Sequence, residues 1–312
     1  MQKDIQVSFI SFIDYCINTR GLSEQTIKGY REVFRHFTTL VPEVKCVGDV
    51  NQESLNTFFK KVRNRKRLVG REYKYTEIKA STLRTYGSKL YTFFDWLCQQ
   101  GELESNPVIK KSLPKADYTD KRALERADID KILSAITQHS KNAFTYKRSM
   151  AMVSTLLYTG VRRNELLFLK VSDIDLVKSK LQVDGKHSKS KKTRHIPINY
   201  TLRMHIEEYL DERKKKSCKS EYLWVSCNRD ERFTEFGLKH LVKKLNELSG
   251  VKFYVHRFRH TFATALGRQK ASSIVIQKLM GHTDLRMTER YLRSMDIEDM
   301  RDDIDSLNLD SF

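Results

Sequence analysis

Helix breakers are scarce in this chain: 312 residues contain only 12 Gly and 4 Pro. An all-β fold needs turn residues every 8–12 positions or so, and this sequence does not supply them. The breakers that do occur separate stretches of helical period. Over 1–19, Ile5, Phe9, Phe12, Ile13 and Cys16 fall on one helical face before Gly21. Ser23 can cap a second helix running from Thr26 to about Leu40, and Pro42 and Gly48 mark a loop. A third helix from about Gln52 carries Leu55, Phe58, Phe59 and Val62. A fourth, Ser81 to Gln100, carries Leu83, Leu90, Phe93, Phe94 and Leu97. The basic stretch 60–79 between them reads as a helix end plus a solvated loop. Gly101 and Asn106-Pro107 then break the chain, so residues 1–107 read as one four-helix unit.

Residues 108–122 are polar and aperiodic and read as an interdomain linker. Beyond them, 123–293 reads as a second, mostly helical domain with a small three-stranded antiparallel sheet. Its strands fall at Ile174–Leu176, Lys180–Val183 and Arg194–Ile198, with one further short strand at Tyr222–Ser226. Its helices fall at 127–138, 144–159, 164–169, 200–216, 235–249, 256–269, 273–281 and 284–293. The fold class is therefore mainly α. Residues 294–312 are acidic, yet Ile297, Met300, Ile304 and Leu307 form one helical stripe, so the tail reads as an amphipathic helix that must dock somewhere.

Charge narrows the partner. The chain carries a formal +19, of which 118–293 contribute +18 and 294–312 contribute −6. The positive charge is clustered: Lys60, Lys61, Arg63, Arg65, Lys66 and Arg67 in one group, Lys186, Lys189, Lys191, Lys192 and Arg194 in another. Such clusters repel themselves unless a polyanion lies opposite, and nucleic acid is the commonest one. No apolar run approaches a membrane span, and no basic amphipathic helix with an aromatic face stands out, so no membrane partner is expected. The first residues lack a signal-peptide core, and the five cysteines (Cys16, Cys46, Cys98, Cys218, Cys227) form no C-x-x-C. Free thiols in a reducing cytoplasm follow as the expectation.

Four local patterns could carry chemistry: Thr159-Gly160-Val161-Arg162-Arg163-Asn164-Glu165, the lysine-rich segment ending Arg194-His195-Ile196-Pro197, His256-Arg257-Phe258-Arg259-His260-Thr261-Phe262-Ala263-Thr264, and Met280-Gly281-His282 followed by Thr288 and Tyr291. Each alone has a plain structural reading: a helix-capping arginine, a solvated hairpin tip, two side chains sharing a helix face, a core tyrosine. His260 reads as structural. His256 and His260 have zinc-ligand spacing, but Arg257 stands where a zincin has its glutamate, and no acidic ligand is near, so no metal is expected.

Taken in order, the four patterns resemble the catalytic domain of the tyrosine recombinases, the phage integrase family, over residues from about 120 to 295. The first unit more loosely resembles that family's SAM-like core-binding domain. The resemblance implies that Tyr291 is the nucleophile and that Arg162 and Arg259 grip the scissile phosphate. It further implies that His256 and His282 support them and that Glu165 buttresses the cluster. It implies a lysine general acid on the hairpin: spacing counted back from Pro197 selects Lys189, whereas the pair Gly185-Lys186 points to Lys186. The implied enzyme is a site-specific DNA recombinase working through a 3′-phosphotyrosyl intermediate on double-stranded DNA recombination sites, without metal, cofactor or ATP. The implied setting is cytoplasmic and nucleoid-associated, in a mobile element or phage. The acidic tail would dock on a neighbouring protomer in a tetramer, and accessory or directionality factors could join it. A Xer-like dimer resolvase is the alternative. A type IB topoisomerase-like enzyme and a catalytically silent DNA-binding regulator are the remaining ones.

Overall fold

In a computed structural model the chain divides into two compact units, Met1–Thr119 and Asp120–Phe312. The structure describes residues 3–64, 66–69, 72–75, 78–114, 123–188 and 191–292. In the first unit α1 (Ile5–Asp14) starts where the Asp4 carboxylate accepts from the Gln6 and Val7 N–H groups, and it passes directly into a π-helical turn, Tyr15–Thr19. α2 (Glu24–Leu40) is capped by Ser23, and α3 (Gln52–Asn64) and α4 (Ala80–Gln99) follow. Their inward faces are aromatic. Phe9 stacks on Phe34 at 3.8 Å, and Phe93 stands edge-on to both at 5.3 and 5.6 Å. Such offset and edge contacts add to plain area burial.

Two sequence expectations change here. The stretch read as a solvated loop contains β1 (Lys66–Val69) and β2 (Glu72–Tyr75), an antiparallel hairpin pairing Lys66 with Tyr75 and Val69 with Glu72. Its strand formers, Leu68, Val69, Tyr73 and Tyr75, stand close together in the sequence, and the surrounding charges conceal them. The early part of the expected linker is also packed. Val108 is buried in the first core, and Leu113 reaches α4 where Gly87 lies, so closely that a Cβ there would sit 2.2 Å from a Leu113 methyl. Residues 115–122 of that linker lie outside the described residues.

The second unit opens with α5 (Arg126–His139), α6 (Ala143–Thr159) and the short α7 (Arg163–Phe168). The sheet follows, β3 (Ile174–Asp175), β4 (Lys180–Val183) and β5 (Arg194–Pro197), antiparallel in that order with Leu181 opposite Ile196. Then come α8 (Tyr200–Lys215), α9 (Glu235–Ser249), α10 (Val255–Arg268), α11 (Ser273–Met280) and α12 (Leu285–Leu292). The core lies around α6 and α8, where Met152, Leu156, Leu202, Ile206, Tyr209, Trp224 and Phe258 are shut off from solvent. The strand expected at Tyr222–Ser226 is absent among the described residues. Only isolated bridges occur there, Lys170 with Tyr222 and Val225 with Arg232. The apolar run is explained by burial of Leu223, Trp224 and Val225, not by a ladder. All five cysteines are free thiols. Among the described residues no helix is long and apolar enough to cross a membrane. The expected tail helix, 294–312, lies outside the described residues.

Candidate active site

The site forms where two helices end. α6 and α11 each stop at a left-handed glycine, Gly160 (φ 58°) and Gly281 (φ 63°). Glycine takes this conformation without the steric penalty of a Cβ. Gly160 is also required by space, since a Cβ there would lie 2.5 Å from the Phe262 ring. A helix terminus leaves carbonyls without intrahelical partners and carries partial negative charge. Here arginines occupy them. Three consecutive carbonyls at the end of α11 each receive a different guanidinium: Leu279 from Arg194 Nε at 2.8 Å, Met280 from Arg259 Nη2 at 2.5 Å, and Gly281 from Arg162 Nη2 at 3.1 Å. Arg259, only 1% exposed, also donates through Nη1 to the Gly160 carbonyl at 2.6 Å, and so joins the ends of α6 and α11.

Glu165 lies within this cluster on α7. Its side chain is fully buried, and it accepts from the Arg162 N–H at 2.8 Å, from Arg162 Nη1 at 2.9 Å, and from Arg194 at 2.7 and 3.1 Å. Burial pushes the carboxyl up, but the hydrogen bonds and charge of Arg194 and then of Arg162 outweigh it and hold the pKa at about 2. Arg194 is the residue that motif reading missed. It lies inside the basic cluster, which the sequence reading treats only as charge. Strand alternation carries the missed signal: Arg194 and the buried Ile196 are two apart on β5, so they share the inward face.

His282 follows Gly281 directly, and its Nδ1 lies 2.9 Å from the hydroxyl of Thr288, a fully buried residue of α12. Burial lowers its pKa, and the nearby charges of Arg259, Arg162, Arg194 and His256 lower it further, to about 3. The imidazole is therefore neutral in the free protein. His256 sits exposed in the first turn of α10 and lines an open cleft of about 530 Å³ with Arg162, Asn164, His187, Lys239 and Tyr254. Arg162, Glu165, Arg259 and His282 thus converge on the two helix ends, with His256 close enough to bear on His282. His260 is buried with Nδ1 3.2 Å from the Thr264 hydroxyl, a structural position. Tyr291 falls in α12, three residues past Thr288, and its side chain lies outside the described residues. Lys189 lies outside them as well. Lys186 is exposed in the turn Gly185–His187 at the start of the β4–β5 connection.

Chemically this is an anion site. Two guanidiniums bind the one carboxylate and a third, that of Arg259, binds the neighbouring carbonyl of the same turn, so positive charge remains. Residues 122–298 match the Phage integrase family. The tyrosine recombinase XerD of Listeria monocytogenes serotype 4b (strain F2365) is 30% identical over 287 residues, covering 90% of this chain and 91% of that protein. The chain belongs to the phage integrase family. It is thereby a tyrosine recombinase, an enzyme class that cleaves and rejoins DNA. A second relative, the tyrosine recombinase XerC of Staphylococcus haemolyticus (strain JCSC1435), is 28% identical over 299 residues, 93% of this chain and 92% of that one. The integrase fold recurs in the Tn1549 transposon integrase solved with a circular intermediate DNA, with a TM-score of 0.75 at 20% identity over 98% of this chain and all of that one. It recurs in the XerH recombinase bound to a palindromic difH substrate, with a TM-score of 0.72 at 19% identity over 92% of this chain and 81% of that one.

Proposed function

We propose that this recombinase exchanges strands of double-stranded DNA at specific sites through a 3′-phosphotyrosyl intermediate made at Tyr291. The observation that carries the reading is the arginine cluster held at the ends of α6 and α11, positive beyond the charge of Glu165 and joined through His282 and Thr288 to the helix that contains Tyr291. A phosphodiester entering this cup meets Arg162 and Arg259, whose planar, permanently charged groups can take the non-bridging oxygens as charge develops on them. Preorganised donors of this kind are each worth on the order of 10²–10³ in rate. The Tyr291 phenol, with an ordinary pKa near 10, needs help to attack. The surrounding cations lower that pKa, and His256 or His282 accepts the proton as the oxygen bonds to phosphorus. The bond from phosphorus to the 5′ oxygen breaks, and that oxygen takes a proton from Lys189, or from Lys186 in the alternative alignment. Attack of another 5′-hydroxyl on the phosphotyrosine runs the step backwards and rejoins the strand, so the phosphodiester energy is kept. Glu165 fixes the geometry of the arginines.

In biological role the leading reading is an integrase or excisionase of a mobile element or phage, acting on DNA in the cytoplasm and nucleoid. A Xer-like dimer resolvase is the second reading, favoured by the names of the curated relatives. Accessory or directionality factors belong to either. We read the acidic tail as docking on a neighbouring protomer, four of which would assemble on paired sites. A groove of about 570 Å³ on the second unit, lined by Leu133, Leu157, Phe262 and Leu266 with the ion pair of Arg126 and Asp130 at its edge, is a fitting receptor for the Ile297, Met300, Ile304, Leu307 stripe.

The test is covalent trapping on a nicked duplex whose cleaved 5′ fragment diffuses away. The wild type should accumulate a protein–DNA adduct that survives denaturation. Tyr291→Phe should bind the duplex with unchanged affinity and give none. An adduct formed by Tyr291→Phe would remove Tyr291 from the mechanism.

A further inference from the structure

The connection between β4 and β5 carries both candidate lysines, and its first turn packs on the aromatic ring of Phe168. In that turn, Gly185–His187, the Asp184 carboxylate accepts from the Lys186 N–H at 2.9 Å. The His187 ring lies flat on Phe168, with centroids 4.0 Å apart and planes 9° from parallel. The Arg232 guanidinium carbon is also 4.0 Å from the Phe168 centroid. Two groups at that distance cannot share one face, so Phe168 is clasped between imidazole and guanidinium. The Tyr222 ring meets it edge-on at 6.3 Å. Phe168 is the last residue of α7, whose N-cap is Arg162 and whose first turn holds Glu165. At 1.5 Å per residue a six-residue helix spans only about 9 Å, with little freedom to bend. One short rigid element therefore holds the phosphate-gripping arginine at one end and the seat of the lysine arm at the other.

The rest of the connection is built on the same turn. The Gly185 N–H donates to the Thr193 hydroxyl at 3.1 Å, and a Cβ on Gly185 would lie 2.7 Å from the Lys191 carbonyl. The outgoing and returning strands of the connection thus touch at Gly185. Wherever the turn is held, the segment between 187 and 191 starts from there. We propose that His187 is a positioning residue: by stacking on Phe168 it sets where the lysine arm begins relative to Arg162, and so aligns the general acid with the leaving oxygen. The proposal rests on the reading of Tyr291 and the lysine given above.

The experiment uses the full-length protein and two nicked duplexes, one with an ordinary scissile phosphodiester and one with sulfur in place of the 5′-bridging oxygen. A thiolate leaves without a proton, so only the first duplex needs the general acid. His187→Ala should slow adduct formation on the ordinary duplex by about 10–100-fold, a part of what general acid catalysis supplies. On the sulfur duplex it should match the wild type, and its affinity for a half-site should not change. Phe168→Leu, which removes the flat ring from the other side of the contact, should repeat that pattern. His187→Phe, which keeps a ring to stack, should stay close to wild type on both duplexes. The proposal is overturned if His187→Ala cleaves the ordinary duplex at the wild-type rate, if it slows both duplexes equally, or if His187→Phe is as slow as His187→Ala. A wild type that forms no adduct on either duplex would instead remove the proposed function itself.

Discussion

Glu165 accepts four hydrogen bonds from two arginines inside a unit that otherwise repels itself. A buried carboxylate alone would be costly, and three guanidiniums crowded together would be too; each makes the other tolerable. His282 feels what charge is left over. Its pKa of about 3 in the free protein means that, between the ordinary value of 6.5 and about 3, the unfolded chain binds a proton that the folded chain refuses. This contribution therefore lowers stability as pH falls through that window and is absent above it. An anion among the arginines reverses the local field and favours the imidazolium. The His282 Cε1 proton, followed by NMR against pH, should titrate near 3 in the free protein and at a clearly higher pH once cognate duplex is bound. A free-protein midpoint near 6.5 would contradict the electrostatics described here.

At the scale of elements, the helices were legible because their apolar spacing is long and because Ser23 reads as a cap; the structure adds Asn142 and Asn199, which likewise accept from the first turn of the helix they precede. The positions of Arg162, Glu165, Arg259 and His282 were legible through motif order. Their partners were not, because the bonds that join them run between segments 119 residues apart in one case and 99 in another. The hairpin β1–β2 was hidden because its alternation spans only four residues a side amid strong charge. The lysine belongs to this scale, since the two candidates differ in their place along the β4–β5 connection. Val183 pairs with Arg194, which leaves residues 184–193 as the connection. Counting from the Pro197 side favours Lys189, so Lys189→Ala should slow cleavage of an ordinary duplex far more than Lys186→Ala. The sulfur-substituted duplex should rescue only the former. The reverse ranking would move the general acid to Lys186.

Each of the two units has its own hydrophobic core, so each can be asked separately what it gives to DNA binding. If both contact the duplex and together neutralise roughly 8 phosphates, log affinity should fall against log salt with a slope near −7. Truncation to the second unit should make that slope much shallower, and an unchanged slope would mean that the first unit leaves the backbone alone. The tail separates folding from assembly. Deleting 296–312 should leave a protein that melts normally and binds one half-site, while cooperative pairing of sites and complete recombination are lost. Normal recombination by the truncated protein, or its unfolding at low temperature, would exclude docking on a neighbour.

The three successive carbonyls of Leu279, Met280 and Gly281 give the last turn of α11 a tripod of arginine legs from three separate parts of the chain: β5, α10 and the α6–α7 junction. A body resting on three legs cannot rock, and the loss of one leg lets it tilt without releasing it. The turn is in this sense a fixed bearing, and residues 282–284 lead from it into α12, whose buried Thr288 hydroxyl lies 2.9 Å from His282 Nδ1. Mounted this way, the start of α12 takes its place from the same three arginines that ring the site.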